Sequence, residues 1–470
     1  MVQFLSTYDL YKPPTFDYAL EAKEFFDKDF FKSYIAIKTN YKREFLVYLT
    51  DDEKAMLDGK EGPAVQKAME LLVKYADALG AERFVNTNNV CGTMGASSPF
   101  IRDFAVKSHS LDAVFCEFNL DSPEVFEIPS VKVYTCHLIQ GIDPDNWKLL
   151  SIDRNIYEIS MKGYEFCAKI GIQLMNTCTP YIVGNVPIKG EHCAWMESSA
   201  VVFCNAVLGA RTNTEGRESA GAAMLTGKTP FWGYHINENR LGTHLVEVEV
   251  EVDSVMDWGL LGYYVGEIVQ ENVPVIKGRG FIPNLPKLKH FGASAASSGG
   301  VEMYHIIGIT PEATAFEQAF GKKKPVGHIK YGVEQKKKVH ENLNASAKDI
   351  DVDLVVLGCP HYSIDQLWEV CRLLKGRKVH ENTNLWVFIP RGLKDIAIRN
   401  EYVDTLEKAG GVLMTDTCPA FGRLLPKGTK VVATDSAKQT HYLPAIMGVQ
   451  VWFGSIEECI EAAISGRWRG

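Results

Sequence analysis

The plainest pattern of apolar and polar positions lies in the last quarter of the chain. Strand-like apolar runs at 353–357, 385–389, 412–415, 431–433 and 449–453 alternate there with helical stretches. Ser455 and Glu458 form a capping box that opens the last helix. Strands alternating with helices imply a mostly parallel sheet wrapped by helices.

Nearer the amino terminus, Thr50 and Glu53 form another capping box, opening a short helix that stops at Gly59. Pro63 starts a second helix and Gly80 ends it. Val65, Ala68, Met69, Leu72, Ala76 and Leu79 recur along it at helical spacing, which makes a buried stripe. Residues 244–253 alternate apolar and acidic, as in a strand with one solvated face. The lysine-rich, apolar-poor stretch 321–348 is expected to be a solvated linker or exposed helix. Residues 1–48, rich in Tyr and Phe, suggest a helix at 18–26 and short strands at 33–39 and 44–49. The expected division is an amino-terminal extension (1–48), a central substrate and metal region (49–345) and a doubly wound α/β domain (346–470).

Composition narrows the function. With 470 residues, several domains are expected. A formal net charge of −8 disfavours nucleic acid as the main partner. No apolar run reaches the roughly 18 residues that span a bilayer, and the amino terminus does not resemble a signal peptide, so a cytoplasmic location is expected. Eleven scattered cysteines are not a disulfide framework, and none form a Cys-x-x-Cys pair. Neither G-x-x-x-x-G-K-[ST] nor G-x-G-x-x-G occurs, which argues against a nucleotide-dependent enzyme.

Chemistry collects in two places. Ligands of open α/β sheets bind beyond the carboxyl ends of the strands. Gly358-Cys359-Pro360-His361, Pro390-Arg391, Asp416-Thr417-Cys418 and Asp435-Ser436-Ala437-Lys438 stand there. The second place is the polar-rich stretch 177–216, whose polar groups are costly inside a core unless satisfied. It holds Cys178, Asn185, Glu197, Ser198, Ser199, Arg211, Thr212 and Asn213.

The motifs TCTPY (177–181), GEHCAW and ESSAV (190–201), LGARTNTEG (208–216), LGCPH (357–361), DTC (416–418) and DSAK...HYLP (435–444) resemble the aconitase X family. The resemblance runs from about Leu49 to the carboxyl end. It implies a multidomain, aconitase-like α/β fold and the large subunit of a dehydratase, with known family activities on cis-3-hydroxy-L-proline and mevalonate 5-phosphate. It also implies a small swivelling subunit. With the chain ending at Gly470, soon after the last expected helix, that subunit is expected to be separate. The substrate would be a small hydroxy acid. Dehydration needs a Lewis acid for the departing hydroxyl and a base for the neighbouring carbon. Iron or an iron–sulfur cluster held by Cys178, Cys359 and Cys418 is the implied Lewis acid, with Cys91 a fourth candidate. Arg211, Arg240, Arg391 and Lys438 are candidates to bind a carboxylate or phosphate, and Ser436 and Lys438 are also candidates for catalysis. The sequence departs from the family at Asn89, where a histidine is usual, at His137 within Tyr134-Thr135-Cys136-His137, and at Asp435. Asn89 and His137 are therefore candidate catalytic replacements. Two alternatives stay open: a paralogue with another substrate, and a non-catalytic metal-binding or regulatory protein.

Overall fold

The computed structural model of the chain describes residues 47–93, 127–150, 152–278, 280 and 283–470. The helix expected at 18–26, the strand at 33–39 and the first half of that at 44–49 lie outside them.

The first described helices begin where the sequence signals them. Thr50 N–H donates to Glu53 Oε2 at 2.9 Å and opens α1 (Asp51–Leu57). Helix α2 (Pro63–Leu79) buries Val65, Ala68, Met69, Leu72 and Ala76, and ends at Gly80 with φ 69°. Strand β1 (Phe84–Asn86) is followed by β2 (Asn89–Gly92), β3 (Tyr134–His137), α3 (Arg154–Lys169), β4 (Cys193–Trp195), α4 (Ser198–Phe203), α5 (Arg217–Thr226) and β5 (Lys228–Pro230). Strands β3-β2-β4 form a parallel sheet in that order, while β1 and β5 pair as an antiparallel ribbon. These strands are only three or four residues long, too short for a periodicity to declare itself.

A second parallel sheet, in the order β8-β7-β6-β9, uses β6 (His244–Val248), β7 (Pro274–Lys277), β8 (His305–Ile306) and β9 (Gly327–Tyr331). Its long helices are α6 (Val255–Val269) and α7 (Leu285–Gly299); α8 (Phe316–Phe320) and α9 (Val333–Leu343) are shorter. Two expectations change here. Strand β6 runs between two neighbours, and the adjacent Leu245 and Val246 are both buried. Adjacent strand residues point to opposite faces, so neither face of β6 is simply solvated. The stretch expected as a linker or exposed helix holds the edge strand β9 as well as α9. Only Ile329 and Tyr331 of β9 are buried, between exposed His328 and Lys330, too faint a pattern to stand out among lysines.

The third sheet follows the sequence closely. It contains β10 (Leu354–Leu357), β11 (Asn384–Phe388), β12 (Val412–Met414), β13 (Val431–Thr434) and β14 (Gln450–Phe453). Every expected boundary falls within one residue. Helices α10 (Ile364–Leu374), α11 (Lys394–Arg399), α12 (Tyr402–Ala409), α13 (Pro419–Gly422), α14 (Ala437–Met447) and α15 (Ile456–Ser465) intervene. All pairings are parallel, in the order β12-β11-β10-β13-β14. The four residues of β10 and the four of β13 are all buried, as central strands of a sheet covered on both faces must be. Chain order reverses between β10 and β13, which opens a crevice at their carboxyl ends. Among the described residues no helix is long and apolar enough to cross a membrane.

Candidate active site

Three turns present three cysteines at that crevice. After β10 the chain turns at Gly358, whose φ is 98°. A Cβ there would lie 2.2 Å from Phe388 O, so the turn that delivers Cys359 requires glycine. After β12, Asp416 takes a left-handed conformation (φ 64°). Its carboxylate accepts from Asn176 Nδ2 at 2.9 Å, Thr415 Oγ1 at 2.8 Å and Arg391 Nε. Cys418 follows and caps α13, with Phe421 N–H donating to Sγ at 3.4 Å. The third, Cys178, comes from the first region, and its Sγ accepts His361 N–H at 3.3 Å.

The three thiols line one cavity of about 310 Å³. Glu197, Ser198, His361, Lys438 and Gln439 share its wall, and Ile139, Ala420, Phe421, Tyr442 and Ile446 supply an apolar side. His361 ties the turns together. Its Nδ1 meets Thr177 Oγ1 at 2.9 Å and its Nε2 meets Thr417 O at 2.9 Å. A carbonyl only accepts, so Nε2 carries the hydrogen and Nδ1 accepts from the hydroxyl. Burial pushes this imidazole down to about 4, which keeps it neutral. Behind the turn, the buried Lys289 of α7 donates to Pro360 O at 3.3 Å, His361 O at 2.7 Å and Gln366 Oε1 at 2.6 Å. Burial brings its ammonium down to about 8.

Electrostatics distinguish the cavity wall. Burial pushes the Cys178 thiol up to about 12 and raises Cys359 and Cys418 as well. Cys178 also feels Cys359, and Cys418 feels both of the others, so three thiolates there would need a cation. Lys438 Nζ donates to Glu197 Oε1 and reaches Ser199 Oγ at 3.4 Å. Burial opposes the Lys438 charge, but Glu197, Cys359 and Cys178 outweigh it and hold the ammonium above its usual range. Burial likewise opposes the Glu197 carboxylate, yet Lys438 and Ser199 draw it below its ordinary range. Ser436 caps α14, accepting Gln439 N–H at 3.1 Å, and hydrogen-bonds Cys359. Among the described residues no group of three or more His, Cys, Asp or Glu side chains is arranged to hold a metal ion.

The structure thus brings together Cys178, Cys359, Cys418, Glu197, Ser198, Ser199, Ser436 and Lys438. Other expected site residues are engaged elsewhere. Asn89 and Asn185 form a buried amide pair at 2.5 and 3.1 Å, and Asn89 Oδ1 also accepts from Trp195 Nε1 at 2.9 Å. His137 is buried against Thr93, the Leu138 carbonyl and Gln140. Arg211 donates to His235 O at 2.9 Å and to Asn237 Oδ1. Arg240 is buried, held by Glu312 at 2.8 and 2.9 Å and by Asn205. Thr212 accepts from Trp195 N at 2.9 Å, and Asn213 bridges Trp232 O and Tyr234 N. Arg391 ties Asp416 to Asp145 and Asp143, bracing the Cys418 turn from outside the cavity. Cys91 is buried beside Cys136. Sequence reasoning passed over His361, Lys289 and Gln439. His361 stands two residues after Cys359 in the LGCPH motif, a usable signal, whereas Lys289 lies mid-helix with none.

The chain resembles known proteins along most of its length. Residues 46–238, 242–341 and 352–465 match the first, second and third domains of aconitase X. The phosphomevalonate dehydratase large subunit of Methanocaldococcus jannaschii is 38% identical over 88% of this chain and 100% of its own length. The cis-3-hydroxy-L-proline dehydratase of Pseudomonas aeruginosa is 32% identical over 88% of this chain and 70% of its own. The crystal structure of Thermococcus kodakaraensis aconitase X in its holo form superposes with a TM-score of 0.73 at 31% identity, covering 89% of this chain and all of that one. The chain therefore belongs to the aconitase X family, whose named relatives here are dehydratases.

Proposed function

We propose that this hydro-lyase removes water from a small hydroxy acid held in the cavity ringed by Cys178, Cys359 and Cys418. The observation that carries the reading is the meeting of three thiols from three separate turns with the Glu197–Lys438 pair. The donor set suits iron, since thiolates hold iron–sulfur clusters. A cluster suits it better than one ion. A cluster spaces its thiolates around several irons, so it asks for less convergence than a single ion, and no tight single-ion group is present among the described residues. When bound, the centre would supply a Lewis acid for the departing hydroxyl.

The protein's own groups divide the remaining work. Lys438 binds the substrate carboxylate, because it is the one cation on the cavity wall among the described residues. A carboxylate sharing that ammonium loosens its hold on Glu197 and raises the basicity of Glu197. Glu197 then takes the proton from the carbon next to the carboxylate as the hydroxyl leaves the neighbouring carbon. The carbon–carbon double bond forms, and the proton on Glu197 balances the hydroxide released. Ser436 orients Cys359, and His361 holds the three turns in register.

Mevalonate 5-phosphate is the substrate favoured by the full-length match to a phosphomevalonate dehydratase large subunit. A second reading, a hydroxy acid without phosphate, is favoured by the single cation on the wall. Assay of the chain together with its small subunit on mevalonate 5-phosphate and cis-3-hydroxy-L-proline separates them. Relatives named as large subunits support a separate small subunit as partner. Phe421 and Ile446, each 40% exposed at the cavity wall, offer it an apolar landing. Ten free cysteines among the described residues suit a reducing, cytoplasmic setting.

A further inference from the structure

Gln439 is the third residue of α14, next to Lys438, and lines the same cavity. It is 1% exposed, yet neither Nε2 nor Oε1 of its amide has a hydrogen-bond partner. Its neighbours on the wall differ. Glu197 is held by Lys438 and Ser199, and both ring nitrogens of His361 are engaged. Buried amides are ordinarily paired, and one left unpaired at both ends is costly to the free protein. The apolar side chains of Ile139, Ala420, Phe421 and Ile446 on the same cavity cannot relieve it.

We propose that Gln439 is the specificity residue of this site, reading the hydroxyl and carboxylate of the substrate together. This rests on the dehydratase reading and deepens it. An amide presents one donor end and one acceptor end, side by side. A hydroxy acid carries the complement: a carboxylate oxygen to accept from Nε2 and a hydroxyl hydrogen to donate to Oε1. Lys438, one residue earlier, supplies the charge for the same carboxylate, so α14 reads the acid end with two consecutive side chains. An acid without the hydroxyl leaves Oε1 unpaired, and sites built to hydrogen-bond a hydroxyl reject analogues that lack it.

The test compares the metal-loaded full chain with its Gln439→Leu variant. The free proteins are melted first. The variant removes an unpaired amide and is expected to melt at or above the wild-type temperature. Calorimetric titration then uses mevalonate 5-phosphate, cis-3-hydroxy-L-proline, and the analogue of each that lacks the reacting hydroxyl. Wild type is expected to prefer one hydroxy acid over its analogue by at least about tenfold, and the variant to show a smaller preference, the part that the metal alone supplies. A variant that melts well below wild type would show that the amide already has a partner, overturning the proposal independently of any substrate. Equal discrimination by both proteins would overturn it as well. Binding of neither hydroxy acid by wild type would overturn the substrate class, and the melting order would still report on the amide.

Discussion

The Nε2–H of His361 donates to the Thr417 carbonyl at 2.9 Å, one residue from Cys418. The same ring accepts from Thr177, one residue from Cys178, and its own backbone lies two residues past Cys359. One buried side chain therefore sets the spacing of three cysteine turns that are far apart in the sequence. Replacing it with leucine strands the Thr417 carbonyl, at about 1–3 kcal/mol, while the Thr177 hydroxyl keeps only its contacts with Thr179. His361→Leu is expected to lower the melting temperature and to reduce iron loading, although all three thiols remain. His361→Gln, which keeps a donor and an acceptor, is expected to recover part of both. Wild-type loading in His361→Leu would show that the ring does not position the turns.

The Glu197–Lys438 pair gives a second prediction. Both side chains are mostly buried, and removing one partner of such a pair strands the other charge at a cost of about 3–5 kcal/mol. Glu197→Gln and Lys438→Met should each destabilise the chain and abolish turnover. The double variant should regain much of the stability and none of the activity. Additive stability losses in the double variant would mean that the two groups do not depend on each other.

Acid should weaken the fold through His137. Burial holds its imidazole at about 4, against an ordinary 6.5. The unfolded chain takes the proton near pH 6.5 while the folded chain resists it until about pH 4. The contribution is therefore complete above pH 6.5 and is lost as pH falls through that window, by at most about 3 kcal/mol. Urea unfolding of wild type and His137→Gln from pH 7 to pH 4 should show the shallower loss in the variant. Parallel curves would place the titrating group elsewhere.

How much of this was legible in the sequence varies along the chain. The third sheet could be read because β10 and β13 are buried on both faces, leaving unbroken apolar runs, and because the Ser455 capping box marks the helix after β14. Cys359, Cys418 and Lys438 could be placed because residues beyond parallel strands share a rim. The short strands β2 to β4 left no such mark. The arginines were harder to place. Arginine chemistry suits a substrate anion and an internal carboxylate equally, and only the fold reveals that Arg240 faces Glu312 and Arg391 faces Asp416. Lys289 illustrates the same limit, since its role depends on carbonyls more than seventy residues away.

For Arg211 the geometry predicts a structural effect. Its guanidinium is spent on His235 O and Asn237, away from the cavity wall. Arg211→Lys should lower the melting temperature modestly and leave KM unchanged, because lysine cannot reproduce the planar fork. A raised KM with an unchanged melting temperature would return Arg211 to the substrate.

The iron centre proposed at Cys178, Cys359 and Cys418 is checked by the iron content of the protein. Protein prepared without oxygen should contain iron by elemental analysis and show the visible absorption of an iron–sulfur centre. Serine at 178, 359 or 418 should remove that iron. Serine at Cys371 or Cys459, both packed in the core of the third sheet, should leave it in place. Iron retained in full by the three cavity variants, or absent from the wild-type protein, would mean that these thiols do not hold an iron centre.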